Sequence, residues 1–184
     1  YIEVSGKPII SYCLNKYDVH KQIDSIVVVA SEIWQDYIIE WIKKDKIKKF
    51  SGFAPAGSSR QHSILNGLVK AKDIGAKDHD HVIIHDAARP NVSEYMISQC
   101  LDSLSYYDAV MPVLHVKDTI YLSDNGKSIT SLLNRDQLYA GQAPESFKFG
   151  KYFNLHNGMT EDNLAHVRGS SELAYKNCLN IHMI

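Results

Sequence analysis

The sequence predicts a single α/β domain, in which a mostly parallel sheet is flanked by helices. Its 184 residues are 45% hydrophobic and 22% charged, which is typical of one globular domain with its own core. Short apolar runs of the kind found in buried strands alternate with segments of helical periodicity. Because a strand that is followed by a helix and a further strand usually forms a parallel pair, the alternation favours a parallel sheet.

The first third of the chain shows this alternation most clearly. After Pro8, apolar residues recur at helical spacing, and residues 23–30 form an apolar run that predicts a buried strand. A second helical pattern follows and ends in a lysine run over residues 43–49. We assign this run no function, since such runs usually lie at solvated helix ends. A third helix is predicted to follow the small-residue turn at residues 56–59.

The middle of the chain predicts two further strands, a helix between them and a segment that departs from the alternation. Residues 81–86 and 108–114 are strand-like, and Ser93 is placed to cap a helix between them. Residues 116–146 interrupt the alternation of strands and helices. They contain a Ser-Asp-Asn-Gly-Lys turn between two segments in which apolar and polar residues alternate. This pattern predicts a β-hairpin arm within the domain.

Charge and cysteine usage exclude several function classes. Twenty Lys and Arg residues against 21 Asp and Glu residues give a formal net charge of -1, so we expect no nucleic-acid partner and no membrane partner. The three cysteines lie far apart and outside metal-binding spacing, which argues against a disulfide framework and a zinc site. No apolar run approaches the ~18 residues that cross a bilayer. We therefore expect a cytoplasmic protein.

The first group of candidate functional residues lies where the strand over residues 81–86 ends. His85, Asp86 and Arg89 leave this strand together, in the phrase His-Asp-Ala-Ala-Arg-Pro. A carboxylate in this position can hold Mg²⁺ against nucleotide phosphates, and a guanidinium can bind a phosphate through two donors. We interpret His85 as structural, because no nucleophile motif such as Gly-x-Ser-x-Gly accompanies it.

Two further groups are weaker signals by themselves. In the turn before the third helix, Gly57 exposes backbone N–H groups and would let a base or a phosphate approach closely. The third group consists of Lys117-Asp-Thr119, Asn134-Arg135 and Gly141-Gln-Ala-Pro-Glu-Ser-Phe147. A lone arginine in a loop is normally a surface residue, so this group is informative only through its order after the other two.

Taken in order, these groups resemble the cytidylyltransferases of 2-C-methyl-D-erythritol 4-phosphate and of ribitol 5-phosphate. The resemblance covers nearly the whole chain and rests on four motifs: Gly-x-x-Arg-x-x-Ser-Ile-x-Asn-Gly-Leu, Ile-His-Asp-Ala-Ala-Arg-Pro, Lys-Asp-Thr and Arg-x-x-Leu-Tyr-x-Gly-Gln-x-Pro-x-x-Phe. It implies a Rossmann-like nucleotidyltransferase fold, the use of CTP and Mg²⁺, and a homodimer that forms through the hairpin arm.

The resemblance also implies roles for individual residues on the nucleotide side. The cytosine of CTP would be held by the turn that contains Ala56, Gly57, Ser58 and Ser63, with Arg60 buttressing this turn.

On the acceptor side, the resemblance implies that Asp86 binds Mg²⁺ and that Arg89, Thr119 and Arg135 hold the polyol phosphate. The predicted reaction is in-line attack by a phosphate oxygen of the polyol on the α-phosphorus of CTP, with release of pyrophosphate. It needs no general base, since the attacking phosphate is already ionised at neutral pH.

The acceptor is not settled by these motifs. The His-Asp-Ala-Ala-Arg-Pro phrase resembles the methylerythritol enzymes of isoprenoid biosynthesis. The phrase Leu138-Tyr-Ala-Gly-Gln142 resembles the ribitol enzymes of cell-surface polymer synthesis such as teichoic acid, and it favours ribitol 5-phosphate slightly.

Two alternatives come from other functional classes. A non-catalytic nucleotide-binding homologue would share the fold and the base-binding turn. A dinucleotide-binding oxidoreductase is disfavoured, because no GxGxxG motif follows a strand.

Some phosphate-binding residues that the resemblance implies have no counterpart within residues 1–184. The family carries a triphosphate-binding loop with Arg and Lys, and a further Lys near its C-terminus. We expect these to lie upstream of Tyr1 and beyond Ile184, so that residues 1–184 alone would be inactive.

Overall fold

The computed structural model describes residues 2–184 and shows the predicted alternation of helices and strands. Tyr1 lies outside the described residues. The seven α-helices in the described part of the chain are α1 (Ile9–Val19), α2 (Glu32–Lys44), α3 (Arg60–Asp73), α4 (Glu94–Ser103), α5 (Phe149–Asn157), α6 (Glu161–His166) and α7 (Ser170–Lys176), and residues Arg135–Gln137 form a short 3-10 helix. None of them is long and apolar enough to cross a membrane.

The strands are short, and several consist of two or three residues. In chain order they are β1 (Glu3–Val4), β2 (Lys7–Pro8), β3 (Ile26–Ala30), β4 (Phe50–Pro55), β5 (His81–Ile84), β6 (Ala109–Met111), β7 (Val113–His115), β8 (Tyr121–Leu122), β9 (Ser131–Leu132), β10 (Tyr139–Gly141), β11 (Glu145–Lys148) and β12 (Ile181–Met183).

The main sheet contains four strands in the order β12-β6-β11-β5. Strand β12 runs parallel to β6, whereas β11 is antiparallel to both of its neighbours. The predicted α/β class is confirmed, but the antiparallel β11 between β5 and β6 was not predicted. Helices α5, α6 and α7, within residues 149–176, were not predicted either.

A second, parallel pair is formed by β3 and β4. Within residues 2–184 no strand pairing joins β3 to β5. A cavity of about 1010 Å³ lies between them, and its lining combines apolar side chains such as Val29 and Ile83 with polar ones such as Asp24 and His81. At one end, the cavity reaches the polar side chains that follow β4 and β5.

The core forms on both faces of these strands because the helices present apolar stripes to them. Helices α3 and α5 cover the main sheet, where Phe147 of β11 stacks on Tyr152 with ring centroids 3.6 Å apart. Helices α1 and α2 pack on β3 around the fully buried Ile38. The predicted cap of α4 is also present, since the Ser93 hydroxyl accepts a hydrogen bond from the Met96 N–H.

Strands β8 and β9 form an antiparallel pair in which Tyr121 lies opposite Leu132. The turn between them is closed by side chains, because Asn125 Oδ1 accepts hydrogen bonds from the backbone N–H groups of Lys127 and Ser128. We call residues 121–132 the hairpin. Two residues of the predicted arm range, Glu145 and Ser146, lie in β11 and thus inside the main sheet.

Candidate active site

Polar side chains meet where β4 and β5 end. Arg60 begins α3, five residues after β4, and Asp86 follows β5 by two residues. Arg60 Nη2 lies 3.2 Å from Asp86 Oδ1, so the structure brings together the first two residue groups of the sequence analysis. The carboxyl ends of β4 and β5 therefore face the same edge, where ligands bind in α/β sheets.

Arg60 is held by two further partners from distant parts of the chain. Its Nη2 donates to Glu145 Oε2 at 3.0 Å, and its Nη1 donates to Ser170 Oγ at 2.9 Å. Burial acts to lower the pKa of Arg60, but the hydrogen bond and charge of Glu145 and the charge of Asp86 outweigh it and raise this pKa. The guanidinium is therefore charged and fixed in direction.

Arg89 lies on the other side of Asp86. Its Nε is 3.4 Å from Asp86 Oδ2, and its Nη1 donates to the side-chain oxygen of Gln142 at 3.3 Å. We call Arg60, Asp86, Arg89 and Glu145 the arginine–carboxylate cluster. It contains two cations and two anions, and the Asp86 side chain is 40% exposed and open to ligands.

His85 shapes the loop that carries Asp86 and Arg89. Its Nε2 lies 2.8 Å from the Arg89 carbonyl oxygen and donates to it, which holds the loop closed. Burial lowers the pKa of His85, so the ring is neutral at pH 7. Its ring also packs against Tyr17, with centroids 5.3 Å apart. These contacts support the structural interpretation of His85.

The turn over residues 56–59 is folded onto the start of α3. The Gly57 N–H donates to Ser63 Oγ at 2.9 Å, and Ser59 caps the helix by accepting from the His62 N–H. A Cβ on Gly57 would lie 2.6 Å from the Ser63 backbone nitrogen and from the His62 Cβ. Glycine is thus required here by the packing of the turn on its own helix, and not only by the approach of a ligand.

Ser58 and Ala56 are exposed residues of this turn. The Ser58 hydroxyl donates to Glu161 Oε1 at 3.0 Å, and the same carboxylate oxygen lies 3.1 Å from His62 Nδ1. Helix α6, which the sequence analysis did not predict, therefore braces the turn from outside.

Thr119 and Arg135 lie apart from the cluster in the described chain. Both are exposed, and Arg135 Nη1 donates to the backbone oxygen of Lys117 at 3.2 Å. Among residues 2–184, no hydrogen bond or ion pair joins either of them to Asp86 or Arg89. Strands β7 and β10, which flank this region, pair with each other and not with the main sheet.

A divalent cation bound by residues 2–184 would need phosphates or water to complete its coordination. The described residues contain no group of three or more His, Cys, Asp or Glu side chains that could hold a metal ion. Mg²⁺ is commonly bound by one or two carboxylates while phosphates and water complete its coordination. The partly exposed Asp86 carboxylate fits a magnesium ion of this kind.

Sequence reasoning left three contact residues without a role. Glu145 and Gln142 lie in the segment from Gly141 to Phe147, but their partners Arg60 and Arg89 are 85 and 53 residues away in the chain. Ser170 is 110 residues from Arg60 and lies outside every motif. Motif membership was therefore the only signal for Glu145 and Gln142, and Ser170 had none, because spacing along one element cannot report such long-range contacts.

Known cytidylyltransferases are similar to this chain in sequence. The family model described as IspD, 2-C-methyl-D-erythritol 4-phosphate cytidylyltransferase, matches residues 1–172. A protein of that description from Clostridium tetani is 34% identical over 95% of this chain and 69% of its own length. A ribitol-5-phosphate cytidylyltransferase from Vibrio parahaemolyticus is 29% identical over 100% of this chain and 77% of its own.

A solved structure shows the same fold. The 4-diphosphocytidyl-2C-methyl-D-erythritol synthase from Anaerococcus prevotii superposes with a TM-score of 0.85 at 24% identity, over 100% of this chain and 79% of that protein.

Proposed function

The chain belongs to the IspD family of cytidylyltransferases, and on that premise we propose which residues bind each substrate and which polyol phosphate is the acceptor. The activity is cytidylyl transfer, in which the CMP part of CTP is joined to a polyol phosphate and pyrophosphate is released. The observation that carries the assignment is the contact between Arg60 and Asp86, because it joins the candidate base-binding turn to the candidate metal-binding loop.

The cytosine is proposed to bind at the turn after β4. Its ligands would be the backbone of Ala56 and Gly57 and the hydroxyls of Ser58 and Ser63. Arg60 supports this turn from within, since its guanidinium is held by partners on β11 and α7. A site that binds the edge of a base mainly through backbone groups lies close to that base. We therefore expect it to accept a pyrimidine and to exclude the larger purine.

The phosphates are proposed to bind beside Asp86 and Arg89. Asp86 would hold Mg²⁺, which would neutralise charge on the triphosphate. Arg89 would hold the acceptor phosphate with its planar pair of donors. Thr119 and Arg135 would complete the acceptor site, and Arg135 would do so from the neighbouring subunit.

In the proposed reaction, an oxygen of the acceptor phosphate forms a bond to the α-phosphorus of CTP. The bond from this phosphorus to the oxygen that leads to the β-phosphate breaks, and pyrophosphate leaves with the electron pair. A phosphate monoester with a second pKa of about 6 is largely ionised at pH 7, so no side chain need remove a proton. The residues of the site align the two anions and offset their charge.

We also propose a homodimer that forms through the hairpin. Ile129 and Leu132 are 62% and 64% exposed, and Tyr121 is 57% exposed. An isolated two-stranded hairpin is at best marginally stable in water, and clustered apolar side chains on it indicate a covering surface. A second copy of the chain supplies this surface most simply, in a two-fold arrangement.

Ribitol 5-phosphate is the acceptor that we propose. The segment Leu138–Gln142 resembles the ribitol enzymes, and Gln142 contacts Arg89, the candidate ligand of the acceptor phosphate. The ribitol-specific relative also aligns with all of this chain. The second candidate, 2-C-methyl-D-erythritol 4-phosphate, is favoured by the family description and by the 34% identical relative.

Pyrophosphate release from CTP tests this proposal, measured with full-length protein and each polyol phosphate in turn. We expect kcat/KM for ribitol 5-phosphate to exceed that for 2-C-methyl-D-erythritol 4-phosphate at least about tenfold, because the acceptor hydroxyls are read by polar groups. The opposite ranking would assign the second acceptor. Binding of CTP without pyrophosphate release from either acceptor would identify a non-catalytic homologue.

A further inference from the structure

Glu145 is the one member of the arginine–carboxylate cluster to which the proposed reaction gives no part. We propose that Glu145 is a positioning residue, which holds Arg60 and thereby keeps the Asp86 carboxylate available to the divalent cation that accompanies CTP. This inference rests on the proposed function, since it concerns the same site.

The sheet register puts Glu145 in place for this role. Glu145 begins β11 and lies opposite Ile84, the last residue of β5, which comes two residues before Asp86. The two carboxylates therefore approach the Arg60 guanidinium from adjacent strands. Arg60 Nη2 lies nearer to Glu145, at 3.0 Å, than to Asp86, at 3.2 Å.

The two carboxylates differ in exposure. The Glu145 side chain is 15% exposed, whereas that of Asp86 is 40% exposed. An ion pair that is shielded from water is screened less by solvent and salt, so Glu145 is the more permanent partner of Arg60. Asp86 is the carboxylate that can exchange a guanidinium for a metal ion.

Charge balance supports the same division of roles. Asp86 lies within 3.4 Å of nitrogen atoms on both Arg60 and Arg89. With Glu145 present, two guanidinium groups face two carboxylates. Without the Glu145 charge, both would face Asp86 alone, and the excess positive charge would oppose the binding of a divalent cation there.

If Glu145 had only a structural role, its charge would not affect metal binding. The substitution Glu145→Gln distinguishes such a role from the electrostatic role that we propose. Glutamine keeps the side-chain shape, and its amide oxygen can still accept a hydrogen bond from Arg60. A brace between β11 and α3 would therefore largely survive this substitution. The electrostatic effect on Asp86 would be lost.

The experiment measures Mn²⁺ binding to the CTP complex of the full-length protein by electron paramagnetic resonance. The Mg²⁺ dependence of pyrophosphate release is recorded in parallel. We expect Glu145→Gln to weaken Mn²⁺ binding and to raise the half-saturating Mg²⁺ concentration about tenfold, the lower end of the range for groups that orient metal ligands. The KM for the acceptor should stay within about twofold, since Arg89 remains in place.

Two further variants make the result specific. Glu145→Asp retains the charge and should recover most of the Mn²⁺ affinity. Glu172→Gln removes the same charge from α7, where the carboxylate pairs with Lys176 at 2.6 Å, and should leave Mn²⁺ affinity unchanged. Thermal unfolding of each variant checks that it is folded.

The proposal is wrong if Glu145→Gln binds Mn²⁺ as tightly as the unmodified protein. It is also wrong if Glu145→Asp is as weak as Glu145→Gln, because shape and not charge would then matter. Failure of the proposed function gives a different result from failure of the Glu145 proposal. In that case the unmodified protein would release no pyrophosphate, but Mn²⁺ binding to the variants would still test the role of Glu145.

Discussion

The arginine–carboxylate cluster and the hairpin differ in where their side chains find partners. Each charge of the cluster is paired within the chain, through residues of β11, α3, α7 and the loop after β5. The hairpin closes its own turn, but its apolar residues such as Ile129 and Leu132 stay exposed. The cluster thus needs no second chain to pair its charges, whereas we propose that a second surface covers the apolar residues of the hairpin.

Loss of Asp86 is the substitution with the largest expected effect, and its counterpart on the hairpin is Asp124. We expect Asp86→Ala to lower kcat at least about 1000-fold, because the proposed Mg²⁺ ligand at the phosphates is removed. Asp124→Ala removes the same charge from the hairpin turn, where the carboxylate accepts a hydrogen bond from Thr130, and should change kcat less than about threefold.

Steady-state rates of pyrophosphate release with saturating Mg²⁺ test both variants. Near-normal, Mg²⁺-dependent turnover by Asp86→Ala would refute the metal assignment. If Asp124→Ala lowers kcat as much as Asp86→Ala does, the proposed difference between the cluster and the hairpin is wrong.

We expect acid to lower the free energy of unfolding of the domain through the buried His156 of α5. His156 is fully buried, and burial lowers its pKa to about 4. Between this value and the unfolded value of about 6.5, the unfolded chain binds more protons, so stability falls as the pH drops through this window and is fully present above it. The loss is at most about 3 kcal/mol, or roughly a 300-fold change in the folding equilibrium.

Thermal unfolding from pH 7.5 to pH 4.5 measures this effect, with two variants as comparison. His156→Gln should unfold at a lower temperature throughout but with a flatter pH dependence. The His79 side chain is 85% exposed, so His79→Gln should follow the unmodified protein. If His156→Gln keeps the full pH dependence, other groups cause the acid sensitivity.

Nucleotide choice tests the turn beside the cluster. We expect kcat/KM for CTP to exceed that for ATP about 100-fold, because the turn is fixed on α3 by the Gly57–Ser63 hydrogen bond and is proposed to bind the edge of a pyrimidine. Pyrophosphate release with each nucleotide at fixed acceptor concentration measures the ratio. Equal rates with ATP would contradict the proposed position of the base.

The sequence predicted features that depend on local periodicity and order along the chain. The α/β class, the helix after the turn at residues 56–59 and the cap at Ser93 follow from local patterns, and the structure contains them. Antiparallel β11 and the Arg60–Glu145 contact were not predicted, because both depend on pairing between residues far apart in sequence. For the same reason, the packing requirement at Gly57 became visible only in the structure.

The smallest expected effect is a twofold difference, and it tests whether Arg135, which follows the hairpin by three residues, acts on the neighbouring subunit's site. Asp86→Ala subunits are mixed with Arg135→Ala subunits, both of which we expect to be inactive by themselves, and exchange is allowed. If Arg135 acts on the neighbouring subunit's site, each heterodimer has one site with both defects and one intact site. Each heterodimer should then show about half the activity of an unmodified dimer.

A matched mixture of Asp86→Ala and Arg89→Ala subunits provides the control. Asp86 and Arg89 contact each other within one chain, 3.4 Å apart, so every site in this heterodimer keeps one defect and no activity should return. Differently tagged subunits show by co-purification that heterodimers have formed in both mixtures. If they form and the Arg135 mixture also stays inactive, Arg135 does not act across the subunits, and the proposed shared site is wrong.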